Sequence, residues 1–172
     1  MPRRLLRDGR AVDDDWVYLT ESAGLTESRG NGLPAAGGVI LSTAQWVAER
    51  PRWLAESGAL GIVLPPAYEL GGLVPDLARF ALIAAEFPGP SEGRGYSQGR
   101  LLRERHGFRG ELRAVGYVRR DQIFFLARCG FNSFELPDDE LPAAIGALRT
   151  FSAEYQPSND VGLPFTPLRR SP

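Results

Sequence analysis

Three times along this chain a stretch with helical character stops at a glycine and gives way to an apolar run. The stops are Ser57-Gly58-Ala59, His106-Gly107-Phe108 and Cys129-Gly130-Phe131, and the runs are residues 61–64 (GIVL), 111–115 (ELRAV) and 133–136 (SFEL). Glycine just past a helix accepts the left-handed conformation that ends it, and the following phenylalanine can fold back on the last turn. The repeated unit is therefore helix then strand. Gly107 and Gly130 lie 23 residues apart, room for one helix, one strand and two short turns, so consecutive strands run parallel and are joined by right-handed crossovers. The expected fold is a single α/β domain with about five parallel strands, flavodoxin-like or an incomplete β/α barrel. A complete eight-stranded β/α barrel normally takes more chain.

Around these units the sequence divides into four parts. Residues 1–20 contain Asp8-Gly9 between short apolar stretches, the signal of a type I′ turn, and predict an N-terminal β-hairpin. Its run Asp13-Asp14-Asp15 predicts a solvated face, because adjacent strand carboxylates point alternately and do not converge on a metal. Residues 21–38 are glycine-rich with few apolar anchors and predict a flexible connection or lid. Residues 39–155 hold the α/β domain: a strand at 39–41, a helix capped by Ser42 or Thr43, and a restart at Pro51 that places Trp46 and Trp53 in the core. A further helix opens near Pro75-Asp76-Leu77, and another begins at Asp138 or Asp139 with Leu141, Ile145 and Leu148 on one face. Residues 156–172 contain four prolines and predict an extended tail.

Composition removes several chemistries. All 20 basic residues are arginine, so no Schiff base, covalent pyridoxal phosphate or P-loop lysine is available. One cysteine, Cys129, and one histidine, His106, cannot build a disulfide, a Cys/His metal site or a four-cysteine cluster within one chain. No cofactor is expected to be held through internal Cys, His or Lys, no metal site is predicted, and any cofactor's identity is left open. A net charge of −1 speaks against nucleic acid, and no apolar run is long enough for a membrane span. The opening MPRRLLRDGR lacks the apolar region of a signal peptide, so the expected location is the cytoplasm.

The chemistry-bearing stretch is 80–120. In parallel sheets ligands gather at the carboxyl ends of strands, where loops lead into helix N-termini. Gly93-Arg94-Gly95-Tyr96-Ser97 comes just before a predicted helix, so its free amides and forked guanidinium would receive an anion. Residues 94–120 hold eight arginines against Glu104 and Glu111. The predicted anion-binding set is Gly93, Arg94, Gly95, Tyr96, Ser97, Arg100, Arg119 and Arg120, with a small oxyanion or phosphate as the ligand class. Glu86 at a strand end is the candidate general base, and Tyr96 or Asp121 the candidate proton relay. Each also has a plain structural use: Glu86 paired to an arginine, Asp121 capping the next helix. His106 is placed to interact with a helix C-terminus and Cys129 to fill a small buried space. The spacing Gly93, Gly95, Gly99 departs from the dinucleotide fingerprint in its third glycine and has no acidic residue after the next strand.

The segments GRGYSQ-x-R-L-L-R-E-R, here residues 93–105, and GELRAVG, here 110–116, resemble a proteobacterial family of uncharacterised proteins. The likeness runs from the Arg7-Asp8-Gly9-Arg10 hairpin to Phe151-Ser152-Ala153-Glu154-Tyr155-Gln156-Pro157. That family is usually encoded beside sulfite or nitrite reductase haemoprotein and phosphoadenylylsulfate reductase, and is sometimes labelled a probable oxidoreductase of sulfite reduction. It brings no established catalytic residues. Gly89-Pro90-Ser91-Glu92 departs from the family's sequence before GRGY and leaves Gly93, Arg94 and Tyr96 in place. The resemblance implies an accessory protein of assimilatory sulfite or sulfate reduction, contacting the reductase haemoprotein or its oxyanion. The alternative is a small-molecule enzyme, oxidoreductase or lyase-like, working through Glu86, Arg94, Tyr96 and Asp121 on a borrowed cofactor or a phosphorylated or oxyanion substrate. A third reading keeps the arginines as the salt-bridged scaffold of a homodimer.

Overall fold

The computed structural model describes residues 4–19 and 37–150, so most of the predicted connection 21–38 and the whole tail 156–172 lie outside the described residues. The eight strands are β1 (Arg4–Arg7), β2 (Arg10–Asp13), β3 (Val17–Tyr18), β4 (Val39–Ser42), β5 (Leu60–Leu64), β6 (Phe80–Phe87), β7 (Glu111–Gly116) and β8 (Ser133–Phe134). The helices are α1 (Thr43–Ala48), α2 (Arg50–Ala55), α3 (Arg94–Glu104), α4 (Ile123–Arg128) and α5 (Leu141–Thr150). Two 3-10 turns, Leu70–Gly72 and Val74–Arg79, stand where a helix from Pro75 was expected. All eight strands form one sheet in the order β2-β1-β8-β7-β6-β5-β4-β3. From β3 to β8 every neighbour is parallel and consecutive in sequence, while β1 and β2 are antiparallel additions.

This order corrects the expectation of about five parallel strands. Six are parallel, and because their order never reverses there is no flavodoxin-like switch point; the winding is that of a β/α barrel. The hairpin forms at its Asp8-Gly9 turn, with φ of 49° and 75°, the positive pair a type I′ turn requires. It is part of the sheet rather than a prelude to it: Leu6 pairs with Phe134 and Arg7 with Ser133. Asn132 holds the turn, its side-chain amide donating to Asp8 Oδ1 at 3.1 Å while its backbone oxygen accepts from the Asp8 N–H at 2.8 Å.

The connection between β2 and β3 forces the sheet to curl. Those strands are its two edges, and flat strands at a spacing of about 4.8 Å would put them some 34 Å apart. Only Asp14, Asp15 and Trp16 join them, a span of at most about 14 Å. The edges therefore swing toward each other over one face. That concave face carries Ile40, Leu82, Ala84 and Val115, with Trp16, Tyr18 and Val63 packed on them. The indole of Trp16 lies over Gly38 and Gly61, where a Cβ on Gly38 would come within 2.4 Å of the ring. The convex face carries the larger core, to which Trp46, Trp53, Leu102, Ile123, Leu126, Leu141 and Leu148 contribute from the helices. All five helices thus cover one side.

Arginine forks tie the crossover turns. Arg103 donates to the carbonyls of Gly130, Phe108 and Gly110, closing the turns at Gly107 (φ 66°) and Gly130 (φ 99°). Burial and nearby Arg109 lower its pKa to about 10. Arg79 does the same for the first turn, donating to the carbonyls of Trp53, Glu56 and Gly58. Gly58 itself departs from the expected pattern, since it is not among the residues with positive φ.

One further arginine sits on the concave face. Arg113, in the middle of β7, is fully buried, and its Nη1 donates to Asp14 Oδ2 at 3.1 Å. Its Nε and Nη2 donate to Glu111 Oε1 at 3.0 and 2.8 Å, and Arg7 donates to the other oxygen of Glu111 at 3.4 Å. Asp14, expected on a solvated face, has a side chain only 2% exposed. The three-residue link turns it inward while Asp13 remains 72% exposed. Removing one member of a buried ion pair strands the other's charge. Asp14→Ala is therefore expected to lower stability in urea unfolding by about 3–5 kcal/mol, whereas Asp13→Ala should stay within about 0.5 kcal/mol of the parent.

Candidate functional site

The carboxyl ends of β5, β6 and β7 deliver the predicted site residues, and the alternation of β6 sorts them onto two faces. Phe87 points to the helices, where its ring meets Tyr96 edge-on at 5.4 Å and Phe131 at 6.1 Å. Gly95 permits this approach, because a Cβ there would stand 2.4 Å from the Phe87 ring. Glu86, the preceding residue, is register partner to Val115 and shares its concave face. The candidate base Glu86 and the candidate relay Tyr96 are thus brought to opposite sides of one strand. Asp121 is exposed in the loop before α4, beside Tyr96 rather than Glu86.

Helix α3 begins after Gly93, which offers no side-chain cap. Its first turn is nevertheless occupied by an anion from the chain itself. Glu92 Oε1 accepts from the Arg94 backbone N–H at 2.9 Å and from Arg94 Nε at 2.9 Å, and Oε2 accepts from Nη2 at 2.7 Å. The guanidinium fork and the helix amide together hold the Glu92 carboxyl down to about 2. The same contacts raise Arg94, whose side chain remains 63% exposed. Glu92 fills the role the sequence assigned to an external oxyanion, by the same helix-dipole and fork geometry. Ser97 and Arg100 are exposed on the next turn, with Arg100 donating to Glu104 at 3.0 Å.

The second arginine group lies in the β7–α4 loop. Arg119 donates to Glu140 Oε1 at 2.8 Å and stacks over Tyr117 at 5.0 Å, and the Arg120 backbone N–H donates to Glu140 Oε2 at 3.0 Å. These contacts lower the Glu140 pKa and raise that of Arg119. Burial pushes the Tyr96 phenol up, with Cys129 adding to the shift and a hydrogen bond with Gln122 opposing it. Gln98, buried on α3, donates to the carbonyls of Pro65, Pro66 and Tyr68 and so fixes the loop after β5 against the helix. The convex side of this end is therefore a surface rich in arginine and aromatic groups, with Phe125 on α4 62% exposed.

The concave side holds what the sequence reading missed. Tyr18 on β3 donates its hydroxyl to Glu135 Oε2 at 3.4 Å, although β3 and β8 are separated by four strands in the sheet. Below them lies Arg113 with its carboxylates. The signal for Arg113 was present: an arginine between Leu112 and Ala114 in mid-strand needs a buried counter-charge. Nothing local names Asp14, 99 residues away, as that partner. Among the described residues, no group of three or more His, Cys, Asp and Glu side chains is placed to hold a metal, and no helix is long and apolar enough to cross a membrane.

Residues 61–166 match the model of a family described as a bacterial protein of unknown function, DUF934. The chain belongs to the DUF934 family. No curated protein matches it. The DUF934 segment starts within β5, so it takes in Glu86, the α3 N-terminus, Arg113 and Glu135 but not Asp14 or Tyr18.

In this DUF934 chain the Glu92–Arg94 clasp sets a pH response at the head of α3. A depressed carboxyl pKa contributes stability that is present above the ordinary carboxylate value and is lost as pH falls through the folded value. An NMR titration following the Arg94 side-chain Nε–H should therefore show an unchanged clasp down to the ordinary carboxylate range and release with a midpoint near pH 2. Glu92→Gln should remove that transition.

Proposed function

We propose that this DUF934 protein is an accessory component of assimilatory sulfite or sulfate reduction that docks on the reductase haemoprotein through its α3, β7–α4 loop and α4 surface. The observation that carries the reading is the division made by β6. Glu86 faces away from Tyr96 and Asp121, while Arg94, Arg100, Arg119 and Arg120 lie on the helix-bearing, solvent-facing side. A solvent-facing surface with arginine forks and exposed aromatic rings has the chemistry of protein interface hot spots. The sulfur pathway comes from the family resemblance carried by the GRGYSQ and GELRAVG segments.

Docking of a protein partner is favoured over capture of a free oxyanion by the state of Arg94. Its fork and the α3 amide already bind the Glu92 carboxylate, so a free sulfite, sulfate or phosphate must displace an intramolecular competitor. A partner's acidic surface replaces Glu92 or Glu140 while adding contacts to Tyr117 and Phe125.

Size-exclusion chromatography of purified protein with the haemoprotein should give co-elution that weakens as salt rises, since exposed charge pairs are screened. The double variant Arg94→Glu/Arg120→Glu should weaken that association at least tenfold and remove any effect on the reductase's rate. If the parent neither co-elutes nor changes the rate, the docking role is wrong. A thermal shift with sulfite or phosphate that disappears in Arg94→Ala would transfer the function to a free oxyanion.

A further inference from the structure

At the amino ends of β6 and β7 the helix-side core is open to solvent. A cleft of about 240 Å³ is lined by Leu77 and Ala78 from the 3-10 turn, Phe80 at the start of β6, and Phe108, Arg109 and Gly110 from the turn into β7. Leu77, Phe80 and Phe108 are buried, so its walls are apolar. They are also held in place. The Phe80 ring meets Trp46 edge-on at 4.7 Å. Arg103 fixes the other wall, donating to the Phe108 and Gly110 carbonyls at 2.7 and 2.9 Å with its guanidinium 5.5 Å from the Phe108 ring centre. A Cβ on Gly110 would come within 2.6 Å of that ring and of the Ala81 carbonyl oxygen.

The charge at this end is one-sided. The Arg109 side chain is exposed and makes no hydrogen bond or ion pair among the described residues. Arg79, next to Ala78, donates to the carbonyls of Trp53, Glu56 and Gly58, and Arg103 to three carbonyls and the Asn132 amide oxygen, so neither is matched by a carboxylate among those contacts. Asp8, whose charge reaches Arg103, is itself held by Asn132. Burial and then the charge of Arg109 lower the Arg103 pKa, so the two cations stand close enough to repel. An anion on Arg109 relieves that repulsion.

Apolar walls beside a single guanidinium select among anions. A carboxylate pairs with the two parallel N–H groups of the fork, whereas the further charged oxygens of sulfate or phosphate would lie against Leu77 and the phenylalanines without donors. The volume falls below the roughly 300–1,000 Å³ of sites for drug-sized ligands, which suits a small molecule rather than a nucleotide. We propose that this cleft binds a small monocarboxylate with an apolar chain of about the length of hexanoate, its carboxylate on Arg109 and its chain against Phe80 and Phe108. The site lies at the opposite end of the strands from the head of α3, and it stands whether or not the arginine surface there docks a reductase.

The test is an amide NMR titration of the full chain with hexanoate, with hexan-1-ol, hexylamine and acetate as probes of each group. Hexanoate should give saturable shifts at residues 77–80 and 108–111 and bind more tightly than the other three. Arg109→Gln, which breaks no contact among the described residues, should weaken hexanoate at least tenfold without altering the weaker binding of hexan-1-ol. Ala78→Phe, a substitution at an exposed position of the turn, should fill the cleft and remove both. Absence of saturable binding, equal binding of acetate or hexylamine, shifts centred on residues 93–97, or full hexanoate affinity in either variant would each overturn the assignment.

Discussion

The attraction between the buried Arg113 guanidinium and the Asp14 carboxylate is the constraint on which the architecture turns. An arginine in the middle of a strand cannot be left unpaired away from water, and its own strand supplies only Glu111. The second counter-charge comes from the short link that crosses between the two edges of the sheet. The same three-residue link holds the two edges together, so the pair is made where the sheet curls, and the curl creates the concave face. Tyr18 on β3 and Glu135 just past the end of β8, strands separated by four others, meet only because of it.

A second organising effect is the use of arginine forks in place of shorter polar staples. Arg79 and Arg103 each gather carbonyls from the ends of helices, groups that a helix leaves without partners. Arg50 forks onto the buried Asp76 with two bonds of 2.7 Å, tying α2 to the turn before β6. A chain without lysine can do this because the planar guanidinium offers several donors in fixed directions, where an ammonium is a point charge. Much of the arginine content is consequently scaffold. What faces solvent at α3 and the β7–α4 loop is the remainder, already clasped in part by Glu92 and Glu140.

The elements were largely legible because their signals are local. Asp8-Gly9 specifies its turn through two positive φ values, Gly107 and Gly130 end their helices in the left-handed region, and Ser42 caps α1 with the reciprocal bond from Gln45. Gly58 and the Pro75 helix were misjudged where neighbours dominate: Arg79 stitches the first turn without a positive φ, and residues 74–79 tighten into a 3-10 turn. The candidate site was legible as a list of residues but not as an arrangement. Glu86 and Tyr96 both belong to the strand-end region, yet strand alternation sends one to each face. Arg94 was legible as an anion receptor, while Glu92, two residues before it, was not identified as the anion.

By itself the sequence determined the helix-then-strand repeat, the hairpin, the parallel pairing and the chemistries excluded by lacking lysine and having one cysteine and one histidine. These depend on backbone geometry within a few residues and on composition. Tertiary structure alone decided that the strand order never reverses, that the hairpin joins β8, that Asp14 rather than Asp13 is buried, and that Glu86 and Tyr96 lie on opposite faces of β6. Each of those outcomes rests on contacts between residues far apart in the chain, such as Arg113 and Asp14, whose energies appear only when the sheet has closed around them.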